Sequence, residues 1–275
     1  MRSVNLPDGR ALPVLGLGTW RMGESASHKA AEVRVVQKAL DLGISLIDTA
    51  EIYANGGSER VVGEAIRGRR DQAFVVSKAA PSNASRRGAI SACEASLGRL
   101  GIETLDLYLL HWRGRFPVHE TVEAFERLLR DGKIRAWGMS NFDSDDLKDI
   151  PNLAECAANQ VLYNPQSRGI EHSLLPFCNS HHISIMAYTP FGQNGAVLNN
   201  PAIAAIARRH KATPAQVILA WGIRHPGVVT IPKTATLARV EENLGAVALN
   251  LTAEDLGEID RAFPPPRQRE PLEML

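Results

Sequence analysis

Four side chains that can exchange protons or hold charge follow short apolar runs. Asp48 follows Ser45-Leu46-Ile47, Tyr53 comes five residues later, Lys78 follows Phe74-Val75-Val76-Ser77, and His111 follows Leu107-Tyr108-Leu109-Leu110. Each has an ordinary explanation alone: an acid can cap a helix, a loop tyrosine can pack its ring, and a lysine can end a strand. Together they suit one task. Asp48 and Lys78 can pair, which offsets the cost of placing either charge beside a core. A phenol with a reference pKa near ~10 gives up its proton reluctantly at neutral pH, and an adjacent ammonium lowers that pKa. Tyr53 beside Lys78 is therefore expected to be a tuned general acid, with His111 orienting a substrate oxygen. The set fits giving a proton to an oxygen that becomes negative as its carbon is reduced. Reduction of a carbonyl is such a reaction.

The elements that must position these groups alternate along the chain. Strand patterns fall at residues 14–20, 45–50, 73–78, 105–111, 134–141, 158–163, 183–188 and 228–231. Helical spacing falls at 28–42, from Ser58 to Gly68 with Ser58 as the cap, and at 86–100, 119–131, 143–149, 171–182, 201–210, 214–224, 236–247 and 252–262. The strands are apolar on both faces, as in a parallel sheet covered by helices. Eight such units in 275 residues predict an α/β fold, a closed (β/α)8 TIM barrel. An Asp8-Gly9 turn between alternating residues predicts an N-terminal β-hairpin that acts as a lid over one end, and Thr252 opens an extra C-terminal helix. No composition shift breaks the run, so residues 1–275 are expected to form a single domain. The proline-led tail from Pro264 is expected to be irregular.

A barrel of this kind carries its chemistry where the strands end. In this chain nearly every strand delivers a polar group there: Asp48 with Tyr53, Lys78, His111-Trp112, Ser140-Asn141, Gln160 running towards Asn164, Tyr188 and Lys233. Agreement of that many strands is hard to obtain by chance.

Composition excludes other classes. A net charge of +1 with no acidic tail argues against a nucleic-acid partner. No apolar run approaches the ~20 residues of a membrane span, and the N-terminus has no signal-peptide core. Cys93, Cys156 and Cys178 are odd in number and widely spaced, so free thiols in a reducing compartment are expected. The expectation is a cytoplasmic monomer with no metal. Adjacent His181-His182 cannot both face one ion from a helix, and Gly16-Leu17-Gly18 has Arg21 where the third glycine of a dinucleotide turn would stand.

These segments resemble the aldo-keto reductase superfamily over almost the whole chain. Leu15-Gly16-Leu17-Gly18-Thr19-Trp20, Asp48-Thr49-Ala50-Glu51-x-Tyr53, Val76-Ser77-Lys78 and Leu109-Leu110-His111-Trp112 are similar to its opening and catalytic segments. Gly132-Lys133-Ile134-Arg135-Ala136-Trp137-Gly138-x-Ser140-Asn141-Phe142 is similar to its fifth-strand signature. Ile231-Pro232-Lys233-Thr234, with Arg239 and Glu242-Asn243, is similar to its adenosine-phosphate site. The compact length, Trp20-Arg21-Met22-Gly23 and Ser167-Arg168-Gly169-Ile170-Glu171 resemble bacterial members that reduce methylglyoxal and other small aldehydes.

The resemblance implies an NADPH-dependent reductase. Hydride would pass from the nicotinamide to the carbonyl carbon, and Tyr53 would protonate the oxygen with Lys78 and Asp48 assisting and His111 positioning. Ser140, Asn141 and Gln160 would hold the carboxamide, and Tyr188 would stack on the ring. Gly18, Thr19, Trp20 and Trp112 would lie near cofactor and pocket wall, and Pro190 and Gly192 by the pyrophosphate. Lys233, Thr234 and Arg239 would meet the 2′-phosphate, in keeping with the affinity of cations and a hydroxyl at a helix start for a dianion. The segments 113–118 and 192–200 are short, so an open pocket for small electrophilic aldehydes and dicarbonyls is expected; Arg113 and Arg115 could favour anionic or oxygen-rich ones or simply be solvated. Two rival readings are a Schiff-base aldolase using Lys78, and an NADPH-sensing subunit with little turnover.

Overall fold

The computed structural model describes residues 1–275. β1 (Ser3–Asn5) and β2 (Ala11–Pro13) form the antiparallel hairpin, with Val4 opposite Leu12. Eight parallel strands follow in sequential order: β3 (Gly16–Gly18), β4 (Leu46–Asp48), β5 (Phe74–Ala79), β6 (Leu107–Leu110), β7 (Trp137–Ser140), β8 (Cys156–Leu162), β9 (Ser184–Tyr188) and β10 (Val228–Thr230). The barrel closes between its first and last strands through bridges from Leu15 to Thr230 and from Gly18 to Lys233.

Glycine is required where strands crowd. A Cβ on Gly18 would lie 2.9 Å from the Ile231 carbonyl oxygen, and one on Gly138 would lie 2.3 Å from that of Ala158. Gly16 and Gly18 thus allow close strand approach; they do not form a phosphate-binding turn. At Gly138 the β7–β8 register shifts, so that Trp137 faces Cys156 and Met139 faces Asn159.

The helices are α1 (Lys29–Asp41), α2 (Gly57–Ala65), α3 (Arg86–Leu100), α4 (Val118–Arg130), α5 (Ser144–Lys148), α6 (Leu174–Ser180), α7 (Pro201–Arg209), α8 (Pro214–Gly222), α9 (Leu237–Leu244) and α10 (Ala253–Ala262). Their bounds follow local rules. Ser85 Oγ accepts from the Gly88 amide at 3.1 Å to start α3, and Gly101 ends it at φ 66°. On α4, Val118, Thr121, Val122, Phe125 and Leu128 are buried at one-face spacing. Ser58 departs from expectation: α2 is preceded by Gly56 at φ 77°, and Ser58 is not its cap. Its hydroxyl is buried, donates to the Thr19 carbonyl at 3.0 Å and accepts from Thr49 Oγ1 at 2.9 Å. No helix is long and apolar enough to cross a membrane.

The apolar core has two parts. The larger lies between barrel and helices, and it buries all three cysteine thiols without a disulfide. The smaller fills the barrel: Leu46, Val76, Leu109, Ala158, Met186 and Ile231 meet Leu6 and Leu12 of the hairpin. The hairpin therefore plugs the end where the strands begin, opposite the rim.

The tail after α10 is irregular and turns back over the rim. Arg168 holds its root by donating to Asp260 Oδ1 at 2.7 Å and to the Phe263 carbonyl at 2.6 Å. Arg269 donates to Asp143 at 2.6 Å, Leu272 packs on the core, and Glu273 accepts from Ser167 at 2.7 Å.

Candidate active site

Side chains on a strand alternate between faces, so residues two apart point the same way. Six residues of the apolar plug, one at each of six strands, are followed two positions later by a polar rim residue: Leu46 by Asp48, Val76 by Lys78, Leu109 by His111, Ala158 by Gln160, Met186 by Tyr188, and Ile231 by Lys233. The plug supports the floor of the site, and the polar groups are stacked directly on it.

Lys78 is fully buried, and each N–H of its ammonium has one acceptor. Nζ donates to Asp48 Oδ2 at 2.8 Å, to the Thr49 carbonyl at 2.8 Å and to the Tyr53 hydroxyl at 3.3 Å. Burial works to discharge Lys78, but Asp48, then Tyr53, outweigh it and hold its pKa above that of an ordinary lysine. A lysine kept charged in this way is a poor Schiff-base nucleophile. The Thr49 carbonyl is a partner that no side-chain pattern reveals, since it depends only on where the backbone turns after β4.

Tyr53 differs from expectation in one respect. Burial raises its pKa above that of an ordinary tyrosine, beyond what Lys78 removes, and Asp48 adds to the rise. The phenol thus keeps its proton at rest. The ammonium can only donate, so the Tyr53 oxygen accepts from it, and the phenolic proton is free to point into the cleft.

The His111 ring stands edge-on to Tyr53, with centroids 5.8 Å apart, and packs against Trp112 at 4.8 Å. Burial, reinforced by Lys78, pushes its pKa down to about 2, so the imidazole is neutral. Its Nδ1 is sealed without a partner.

The remaining rim residues form a second group. Gln160 Nε2 donates to Asp48 Oδ1 at 2.8 Å, joining β8 to β4 across the barrel mouth. Ser140 Oγ donates to the Gln160 carbonyl at 2.9 Å. Asn141 Nδ2 donates to the His111 carbonyl at 3.0 Å, and Asn141 Oδ1 accepts from the Tyr188 hydroxyl at 2.9 Å. Asn141 takes φ 59°, which asparagine tolerates, whereas Thr189 at φ 51° is strained as a β-branched residue. The Asn164 amide secures that strained peptide by donating to the Thr189 carbonyl at 3.1 Å.

Thr19 is buried, and its hydroxyl bonds the Asp48 carbonyl at 2.8 Å, so only its backbone can face a ligand. Trp20 is 54% exposed beneath the Arg21 guanidinium, 4.5 Å from its ring. At the seam, Lys233 and Arg239 are exposed and in no ion pair, while Thr234 Oγ1 is buried and accepts from the Thr236 amide at 3.1 Å. Glu242 is half-buried with its carbonyl accepting from Gln216 at 2.9 Å, and Asn243 is buried. Pro190 is buried and Gly192 takes φ 71°; a Cβ there would meet Gln166 Oε1 at 2.8 Å.

Two expectations about the pocket wall change. Arg113 is engaged elsewhere: it donates to Asp146 at 2.6 Å and Asp149 at 3.1 Å, while Arg115 lies over Phe116. The short loops do not leave the β8–β9 side bare, because Glu273, Met274 and Leu275 line a cavity of about 360 Å³ there with Asn164 and Gly192.

The family model for the aldo/keto reductase family matches residues 14–263. The chain belongs to the aldo/keto reductase family. Among relatives of this reductase chain, methylglyoxal reductase YeaE of Escherichia coli is 48% identical over 272 residues, covering 96% of each chain. Glyoxal reductase of Bacillus subtilis is 36% identical, covering 94% of this chain and 91% of its own. The crystal structure of an aldo-keto reductase from Klebsiella pneumoniae in complex with NADPH superposes with a TM-score of 0.96 at 45% identity, over 100% of this chain and 99% of that one.

Proposed function

We propose that this aldo-keto reductase reduces small electrophilic aldehydes and dicarbonyls, such as methylglyoxal, to alcohols with NADPH, and that Tyr53 is the general acid. The observation that carries this reading is the ammonium of Lys78 donating to the Tyr53 oxygen at 3.3 Å while Asp48 and the Thr49 carbonyl take its other two protons. That arrangement leaves the phenolic proton to a substrate and stabilises the phenolate as it forms. Neutral His111 does not change charge near pH 7, and its single ring N–H serves as a hydrogen-bond donor that orients the carbonyl oxygen.

The chain's own groups suit NADPH. Lys233 and Arg239 are unneutralised cations at the seam, in place for a 2′-phosphate, and Thr234 lies between them in sequence. Gly18, Trp20, the Thr19 backbone, Pro190, Gly192, Glu242 and Asn243 would border the cofactor between that seam and the rim. Ser140, Asn141 and Gln160 would hold the carboxamide, and Tyr188 would offer it a ring face. The bound cofactor supplies the hydride; the protein supplies the proton, the orientation and a dry floor. The relatives named as methylglyoxal and glyoxal reductases support the substrate class. Following NADPH oxidation against methylglyoxal, nitrobenzaldehydes and aldoses tests it: turnover of methylglyoxal is expected to lead, and absence of turnover on every carbonyl would overturn the reading.

A further inference from the structure

Asp48 has two neighbours at its carboxylate, and they constrain each other. One oxygen accepts from Lys78 Nζ and the other from Gln160 Nε2, both at 2.8 Å. A carboxylate facing an ammonium only accepts hydrogen bonds, so the atom of the Gln160 amide that faces it must be the nitrogen. The orientation of this amide is therefore decided by chemistry. Its oxygen must point the other way. Gln160 Oε1 makes no hydrogen bond within the chain and is not among the sealed, partnerless atoms, although the residue is only 2% exposed. It is a lone acceptor open to the cleft, in a residue whose backbone carbonyl is held by Ser140 Oγ at 2.9 Å and by the Asn141 amide at 2.8 Å.

We propose that Asp48, besides pairing with Lys78, is a positioning residue for the cofactor. By fixing the Gln160 amide it makes the site show an acceptor, not a donor, to the nicotinamide carboxamide. This rests on the NADPH reading above and goes beyond it. A group that donates to Gln160 Oε1 polarises the amide and strengthens its bond to Asp48, so cofactor docking and the charged array under Tyr53 reinforce each other. The charge that keeps Lys78 an ammonium thereby also selects which way round the carboxamide binds.

The proposal makes an unusual demand of Asp48→Asn. The Lys78 ammonium needs an acceptor, so the introduced amide turns its oxygen to Lys78 and its NH2 to Gln160. Gln160 must then reverse, giving its oxygen to that NH2 and its own NH2 to the cleft. Binding alone reads this reversal, using NADP+ and its 3-acetylpyridine analogue, which has a methyl ketone in place of the amide and so cannot donate. Dissociation constants come from calorimetry without substrate.

The unaltered protein is expected to prefer NADP+ over the analogue by about 3- to 10-fold, the size of one hydrogen bond. Gln160→Met should lose that preference. Asp48→Asn should lose or reverse it, and Asp48→Glu and Tyr53→Phe should keep its sign. If Asp48→Asn does not fold, Asp48→Ala carries the same test, since an unanchored Gln160 should bring the two ligands within about twofold. Full retention of the preference in Asp48→Asn or Asp48→Ala would overturn the proposal, as would no preference in the unaltered protein. Failure of that protein to bind either dinucleotide would instead remove the cofactor reading on which the proposal stands.

Discussion

Lys78 Nζ lies 2.8 Å from Asp48 Oδ2, with both side chains closed off from water on adjacent strands. A buried pair of this kind is easily broken but hard to judge from its parts, because losing one partner leaves the other charge stranded. Lys78→Met is expected to destabilise the fold by about 3–5 kcal/mol. The double variant Asp48→Leu with Lys78→Met should recover much of that loss. Urea denaturation followed by circular dichroism checks both, and additive losses would contradict the pairing.

Tyr53→Phe removes the proton and little else. Reduction of methylglyoxal should slow by at least about 10²-fold, the low end for general acid catalysis. The dissociation constant for NADPH should stay within about threefold, since the loss of one hydroxyl touches no expected cofactor contact. Stopped-flow measurement of a single turnover separates the two, and unimpaired reduction would remove Tyr53 from its assigned role.

His111 predicts a pH dependence of stability. Its folded pKa is about 2, against ~6.5 when unfolded. Below pH ~6.5 the unfolded chain gains a proton that the folded site refuses, so stability falls as the pH drops. By pH 5 the loss from this residue should be about 2 kcal/mol relative to neutral pH. The stability of His111→Gln should decline less over that range by the same amount. The neutral imidazole also implies no kinetic transition near pH ~6.5 from this group in the rate of the chemical step.

Lys233→Ala and Arg239→Ala test the seam. Each should raise the KM for NADPH by about 10- to 100-fold, the worth of a charge-assisted hydrogen bond, and that for NADH by less than about threefold. Equal effects on the two cofactors would place the 2′-phosphate elsewhere.

Arg113 is tied to Asp146 and Asp149. Arg113→Ala should therefore change the ratio of kcat/KM for glyoxylate to that for methylglyoxal by less than about twofold, because exposed ion pairs contribute little and this one faces α5. A larger drop for the anionic aldehyde would show that the guanidinium reaches the substrate.

Period and punctuation in the sequence were enough for the eight βα units, the hairpin and the order of rim residues. Strand alternation is a local property, and glycine or a capping residue marks most helix ends, as Ser85 and Gly101 do for α3. Asp48, Lys78 and His111 could be placed on a common rim because parallel strands in a barrel end together. Ser58 shows where local reading stops: it has a capping residue's type, but its hydroxyl is drawn inward by Thr19 and Thr49, the residues that directly follow β3 and β4.

The tertiary structure alone decided quantities that depend on distance and enclosure. Whether Lys78 lowers the Tyr53 pKa or burial raises it is a contest between proximity and desolvation, and composition contains neither. The tail's return to the rim depends on Arg168, Arg269 and Glu273 meeting partners far away in the chain. The same holds for the Gln160–Asp48 contact, which joins residues 112 positions apart. A sequence shows that both face inward; only closure of the barrel brings them within hydrogen-bonding distance and so fixes which atom of Gln160 the cleft can see.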